Sequence, residues 1–478
     1  MNEAQLVDCR RVPSLLRSLV ASAHGFCLRR WWYGPETETL VQGALEREHW
    51  SATQWEQWRC ERLRFILRRA ATQVPYYRKA WEKRREHGDD ASWEELKNWP
   101  VLERETVRSN PRAFVAADCD LRKLCRWQTN GSSGAPLTIW SSRQTQRAWC
   151  ALGEARWRRW NGVGRADRWA MLGGKWVVHD RQSEPPFWVW NAGLRQLYMS
   201  VHHTSAHRIP GYLEALQTYR IRYLWGCTSA LNALAQEVVK LGRVDMPMAV
   251  VITNAEPVFD YQRKAIGEAF QCPVRETYGM AEMVAGASEC AHGRLHLWPE
   301  AGWVEVLEGD QPMRAGIAGD LVCTGLINPD MPLVRYRLGD RGVLVDSGGT
   351  CPCGRTLPEL AGLEGGADQL LYAPDGRKIR RLDGVLPAGL PIREVQIIQE
   401  TLDRVRVRYV PTPQFKSNEA HRMQGCLRER LGGVEVFMQP VAEIPREANG
   451  KLPALVCKLP FQQRQALESG EHTKKKDG

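Results

Sequence analysis

Between about residues 120 and 360 the chain repeats one pattern, a short apolar run ending in glycine, asparagine or threonine followed by a stretch of helical periodicity. Arg168-Trp169-Ala170-Met171-Leu172, Ala249-Val250-Val251-Ile252 and Gly319-Asp320-Leu321-Val322-Cys323 are such runs, and 230–241 and 261–270 are helical stretches. Apolar residues at consecutive positions mark strands covered on both faces. Strands of that kind alternating with helices indicate an α/β fold built on a largely parallel sheet.

Length adds a second constraint. A single core stops growing at roughly 250–300 residues, so 478 residues divide into at least two domains. The expected large domain spans 1–364 and opens with a helical, charged segment to about 115, in which Pro75 stops a helix running through Ala70-Ala71. After the glycines at 362–366 the texture changes. Residues 394–410 read as two alternating strands, 419–431 as a helix, and another strand follows. This is a small, mobile α+β lid over 365–460. The tail 461–478, ending in Lys474-Lys475-Lys476, is expected to be disordered.

No apolar run approaches the roughly 18–20 residues that cross a bilayer. The segment from Leu15 to Cys27 is interrupted by Arg17, Ser18, Ser22, His24 and Gly25 and precedes no small-residue cleavage site, so a cytoplasmic protein with reduced thiols is expected. Leu15, Leu16, Leu19 and Val20 at helical spacing, followed by Arg29-Arg30-Trp31-Trp32, read as a helix packed on its own domain, with a membrane-surface helix as the alternative. The net charge of +11 and the Arg–Trp interleaving at 55–59 and 156–160 raise single-stranded nucleic acid as a partner. Acids are interspersed, and tryptophans three or four apart put rings on a buried helical face and arginines on the wet one, which argues against it.

Thr129-Asn130-Gly131-Ser132-Ser133-Gly134-Ala135-Pro136 combines glycines, which let backbone N–H groups turn toward an anion, with three hydroxyl donors. It is not a Walker loop, because no Gly-Lys-Ser/Thr follows. Downstream, in order, come Asn254-Ala255-Glu256-Pro257, Thr277-Tyr278-Gly279-Met280-Ala281-Glu282, Arg335-Tyr336-Arg337-Leu338-Gly339-Asp340, Cys351-Pro352-Cys353-Gly354-Arg355 and Pro445-Arg446-Glu447-Ala448-Asn449-Gly450-Lys451. From about residue 60 to 457 this series resembles the adenylate-forming superfamily, and within it the phenylacetate–CoA ligase family and its CapK-like branch.

The resemblance implies an enzyme that activates a small carboxylic acid with ATP and Mg²⁺, then transfers the acyl group to CoA or to an amine or hydroxyl. Thr129, Asn130, Gly131, Ser132, Ser133 and Gly134 would hold the phosphates, and Glu282 would bind Mg²⁺. Asn254, Ala255, Glu256, Thr277, Tyr278 and Gly279 would line the base pocket, Asp340 would take the ribose, and Arg355 joins the nucleotide set. Lys451 would reach the α-phosphate and carboxylate. Asp368 would be the hinge of the rotating small domain. A homodimer is a further expectation. Two motifs depart from the pattern: Leu137 replaces the lysine that often ends the phosphate loop, and Gly366 and Gln369 replace the hinge arginine and second acid. The second departure leaves the acceptor open, with an amide- or ester-forming enzyme that does not use CoA and a non-catalytic binding protein that keeps the fold as alternatives. The acid pocket is expected beside 224–228 and Asn254.

Cys290, His296, Cys351 and Cys353 offer a Cys₃His set for structural Zn²⁺, with His292 competing for the histidine place and ordinary reduced cysteines as the alternative. Some relatives in the family carry a structural zinc at such a place. His202, His203 and His207 read as structural or solvated.

Overall fold

The computed structural model describes residues 12–129, 136–179, 182, 184–204, 208–243, 245–345, 351–364, 370–375, 377–379, 390–447 and 450–468. Among them the expected α/β architecture is present: one mixed sheet of 13 strands, a four-stranded sheet in the C-terminal part, and helices against both.

Five neighbouring strands of the large sheet are parallel: Gln196–Ser200, Trp169–Gly173, Tyr223–Cys227, Val251–Asn254 and Val274–Gly279. Residues in Trp169–Gly173 and Tyr223–Cys227 are buried at every position, as strands covered on both faces must be. Helices Ile209–Thr218, Thr228–Lys240 and Asp260–Phe270 make the crossovers, the second burying Leu231, Leu234, Ala235 and Val238 at three- and four-residue spacing. Beyond Gly279 the sheet continues as antiparallel strands. The parallel part is therefore narrower than the sequence suggested. A short apolar run reports burial and says nothing about the direction of its neighbours.

The entry segment is helical as expected. Helix Ala52–Gln73 starts at a capping box in which Ser51 and Gln54 bond each other's backbone N–H, and Pro75 opens the next helix, Pro75–Glu86. One expectation fails here. Glu154–Arg158 is π-helical, and its wider turn breaks the phase that would have left the arginines wet. Arg156 has 0% exposure; its guanidinium donates to both Glu300 oxygens at 2.8 and 2.9 Å and to Glu48 Oε1 at 3.3 Å. Burial alone would raise the Glu300 carboxyl, but Arg156 and Arg47 hold it below the usual carboxylate range. Arg158 is also buried, donating to the Tyr223 hydroxyl at 2.7 Å. These arginines are paired inside the fold and present nothing to a nucleic acid.

In the C-terminal part, strands Ile392–Thr401 and Arg404–Pro411 form an antiparallel pair flanked in parallel by Leu455–Cys457 and Glu435–Pro440. Helix Ser417–Leu431 covers one face through Met423, Leu427 and Leu431, which join Ile397, Val405 and Val407 in a separate core. Residues 365–369, beside the expected boundary and including Asp368, lie outside the described residues. The tail is ordered further than expected. Phe461–Glu468 is a helix whose Leu467 is buried with Leu370, Tyr372 and Leu459, a contact that no local sequence signal announces.

Removing one member of a buried ion pair strands its partner. Arg156→Met is expected to destabilise the protein by about 3–5 kcal/mol, read as a lower urea midpoint; a loss below about 1 kcal/mol would mean that Arg47, Arg355 and Trp160 suffice for Glu300 and Glu48.

Candidate active site

The parallel strands end together at Cys227, Asn254 and Gly279, and a cavity of about 340 Å³ opens just beyond them. Ligands in open α/β sheets bind in this place, outside the carboxyl ends of the strands. Asn254, Ala255, Thr277, Gly279, Glu282, Asp340, Thr129 and Lys451 line it, so residues spread over more than 300 positions of sequence meet in one cleft.

Thr129 closes the base of the Gly/Ser loop. Its N–H donates to Leu137 O at 2.9 Å, and its Oγ1 accepts from Leu137 N–H at 3.1 Å. Asn130, Gly131, Ser132, Ser133 and Gly134 lie outside the described residues. The Tyr278 hydroxyl donates to Asp340 Oδ2 at 2.8 Å. Burial pushes the Asp340 carboxyl above its ordinary range, opposed by that hydroxyl and by the charge of Lys451. Tyr278 thus orients Asp340 and is not itself part of the cavity wall described here. Asn254 is best placed with its amide donating to Gly226 O and accepting from Trp225 Nε1, both at 3.1 Å.

Glu282 is buried on the cavity wall, where Arg104 donates to its Oε1 at 2.7 Å and to Thr129 Oγ1 at 2.8 Å, and the Tyr336 hydroxyl donates to the same Oε1 at 3.3 Å. Arg104 was not singled out by sequence. It lies in a segment rich in arginine, and only the fold brings it 178 positions from its own place in the chain to Glu282. Trp149, Trp157 and Trp225 form the aromatic wall of the cavity, with Trp225 and Cys227 in the stretch expected to border the acid.

Lys451 arrives on the C-terminal part, and the structure shows how. Glu256 does not line the cavity. Its Oε1 accepts from Leu452 N–H at 2.7 Å and from Ser229 Oγ at 3.0 Å, and its Oε2 accepts from Ser229 N–H at 2.7 Å. Arg446, another residue not singled out, donates to Ser229 Oγ at 2.5 Å and to Glu394 Oε1 at 2.9 Å. Gly450 adopts φ of 82°, and a Cβ there would stand 2.5 Å from Val201 Cγ2 and 2.6 Å from Gly174 Cα, so only glycine allows the loop to come this close. Arg355 is also placed elsewhere. It donates to Glu48 Oε2 at 2.8 Å and lies 4.0 Å over the Trp160 ring, away from the nucleotide residues. A family motif match reports the motif's presence, and Arg355 follows its neighbouring cysteines.

Those cysteines do converge. Cys290, His296, Cys351 and Cys353 place their ligand atoms within 4.8 Å of one another, with Cys290 Sγ 3.7 Å from Cys351 Sγ and Cys353 Sγ 3.4 Å from His296 Nε2. His296 Nδ1 lies 3.2 Å from Leu357 O, which turns Nε2 toward the sulfurs. The competing His292 is not in the group. His202 stacks on Trp176 and bonds Gly174 O, and His203 is buried, both structural as expected; His207 lies outside the described residues.

Residues 371–458 match the sequence family described as the CapK C-terminal domain. Protein CapK of Staphylococcus aureus is 23% identical over 55% of this chain and 58% of its own length, so that match spans little more than half of CapK. The phenylacetate-coenzyme A ligase of Thermus thermophilus is 25% identical over 88% of this chain and 98% of its own. A crystal structure of 2-hydroxyisobutyryl-CoA ligase in the postadenylation state aligns with a TM-score of 0.63 at 18% identity, covering 89% of this chain and 94% of that one. The fold, with Lys451 carried into a cleft at the strand ends, is that of an adenylate-forming ligase. Within that class the chain is similar to phenylacetate-coenzyme A ligases and, over its C-terminal residues, to the CapK C-terminal domain.

Because Glu256 holds Leu452 directly, Glu256→Ala is expected to loosen the loop after Arg446. Limited trypsin digestion should then cut after Arg446 and Lys451 several-fold faster than in the wild type. Unchanged cleavage would show that Gly450 packing alone holds the loop.

Proposed function

We propose that this protein joins a small carboxylic acid to ATP, releasing pyrophosphate and forming an acyl-adenylate, and then passes the acyl group to the thiol of CoA. The observation that carries this reading is the placement of Lys451, from the C-terminal part, in the same cavity as Asp340, Asn254, Glu282 and Thr129. In the first step a carboxylate oxygen attacks the α-phosphorus and the bond to pyrophosphate breaks. Attacking group and leaving group are both anions, so the main task is to neutralise and align charge. Lys451 and Thr129 both line the cleft, the first supplying a cation and the second a hydroxyl donor. Asp340, oriented by Tyr278, accepts from the ribose hydroxyls, and Asn254 to Ala255 border the base.

Mg²⁺, when bound, would neutralise phosphate oxygens, and Glu282 is a carboxylate of the type it takes, buried on the cavity wall beside Thr129. In this arrangement Arg104 holds Glu282 and Thr129 together and places a second cation near the phosphates, where Leu137 stands in place of a lysine. In the second step the thiolate sulfur attacks the acyl carbonyl and AMP departs. The relatives named as CoA ligases support CoA as acceptor, and the acid itself is open.

The test is ATP–pyrophosphate exchange across a panel of aryl, fatty and amino acids. One acid class should support exchange, and Lys451→Ala should lower it by about 10²–10³-fold, the cost of losing a preorganised charge at a transition state. Exchange that is insensitive to Lys451→Ala would overturn the assignment. Saturable CoA dependence of acid consumption tests the second step.

We also infer structural Zn²⁺ at Cys290, His296, Cys351 and Cys353. Ligands at ~2.1–2.3 Å around a tetrahedral ion stand about 3.4–3.8 Å apart, which matches the Cys290–Cys351 and Cys353–His296 separations of 3.7 and 3.4 Å. The metal would tie the hairpin of Gly286–Glu289 and Leu295–Leu297 to the segment 351–357. Protein purified without chelator should carry about one zinc per chain, and Cys351→Ser should lose it together with thermal stability. Metal-free, equally stable protein would remove the inference.

A further inference from the structure

We infer that helix Ser14–Trp32 is a docking surface for an anionic lipid bilayer, on which the protein rests without crossing it. The helix has two apolar faces and is pinned by one of them. It lies along the outermost strand of the large sheet, Trp188–Asn191, whose outer edge pairs with no other strand among the described residues. Ser18 Oγ accepts from Trp190 N–H at 3.2 Å, and Ser22 Oγ accepts from Ala192 N–H at 3.0 Å and donates to Trp190 O at 3.5 Å. Two serines thus satisfy an edge that would otherwise invite another strand. Ala21, Leu28 and Trp32 are buried on the same side, Gly193 lies against the backbone of Gly25 and Phe26, and Trp32 reaches the cavity wall.

Because that face is held by hydrogen bonds and packing, the other cannot turn inward. It carries Leu16 at 48% exposure, Leu19 at 66%, Val20 at 36% and Phe26 at 55%, with Ala23 and Cys27 exposed between them. Positions 16, 19, 20, 23, 26, 27 and 30 fall on a single helical stripe. Four of the twelve large hydrophobic side chains exposed among the described residues belong to this one helix. An apolar stripe of this size on one face marks a binding surface, not scatter.

Charge selects the occupant. The helix has no acidic residue, and Arg29 and Arg30 are exposed at its C-terminal end, Arg30 on the stripe itself. Arg143, which donates to Arg30 O, is exposed beside it, and so is Arg195, two residues from the Gly193 contact. The overall charge is +11. Leucine, valine and phenylalanine flanked by arginine and tryptophan is the composition of a helix that lies in a membrane interface and is drawn to anionic headgroups. No described helix is long and apolar enough to span a membrane, which restricts the contact to the surface.

The experiment is flotation of the full chain with phosphatidylcholine vesicles, with and without phosphatidylglycerol, at low and physiological salt. Wild type should float with the anionic vesicles, less at higher salt, and not with the neutral ones. Leu19→Glu/Phe26→Glu and, separately, Arg29→Glu/Arg30→Glu should each reduce flotation about tenfold or more, with circular dichroism unchanged; Phe437→Glu, on the distant small sheet, should not. Flotation by neither vesicle type overturns the inference. So does flotation that survives Leu19→Glu/Phe26→Glu. A concentration-dependent dimer in light scattering, lost in that double variant while vesicles bind nothing, would instead assign the face to a second copy. Binding that appears only after removal of residues 1–11 would assign it to that segment, which also overturns lipid docking by the intact chain.

Discussion

The site depends on one carboxylate. Glu256 stands at the end of a parallel strand, where a nucleotide-binding residue was expected, and its two oxygens instead accept from Ser229 and from the backbone of Leu452. Lys451 is the next residue in the chain, so the bond to Leu452 sets where the lysine stands. Arg446 reinforces the arrangement from the other side through Ser229 and Glu394. These polar contacts are partly buried, and beside them Gly450 packs against Val201 and Gly174 while Phe259 packs against the C-terminal core.

A second carboxylate, Glu48, organises the packing behind the tryptophan wall. Glu48, 2% exposed, receives Arg156, Trp160 Nε1 and Arg355, and its backbone oxygen accepts from Thr356. The helical entry segment, the π-turn at 154–158 and the cysteine-bearing loop are thereby held at one point. Arginine and tryptophan interleaved in sequence raised, and the interspersed acids argued against, a surface for bases. In the fold Arg156 and Arg158 meet a carboxylate or a hydroxyl inside the protein, and Arg59 lies over the Trp303 ring.

Much of the site was legible residue by residue. Thr129, Asn254, Thr277, Gly279, Glu282, Asp340 and Lys451 line one cavity, and the four proposed zinc ligands converge. These residues are recognisable because each sits in a short motif whose backbone requirement, a tight turn or a strand end, restricts neighbouring residues as well. Arg104 and Arg446 were not legible. Arg104 is one of 66 basic residues with nothing local to distinguish it, and Arg446, although inside the motif that carries Lys451, gives no local sign that it meets Ser229 and not water. Arg355 and Glu256 stood in motifs yet point elsewhere, since a motif restricts the backbone path more tightly than the side chain's partner.

The sequence by itself determined the α/β class, the positions of several helices and strands, the order of the chemical motifs and the presence of a separate C-terminal core. These are matters of periodicity and of local backbone demand, which neighbouring residues encode. Only the tertiary structure decided which strands run parallel, which arginines are buried, what Glu256 holds, and that the first helix keeps an apolar face outward. Each of those depends on partners dozens to hundreds of positions away, and pairing at that distance is set by the packing of the whole chain, which no local pattern records.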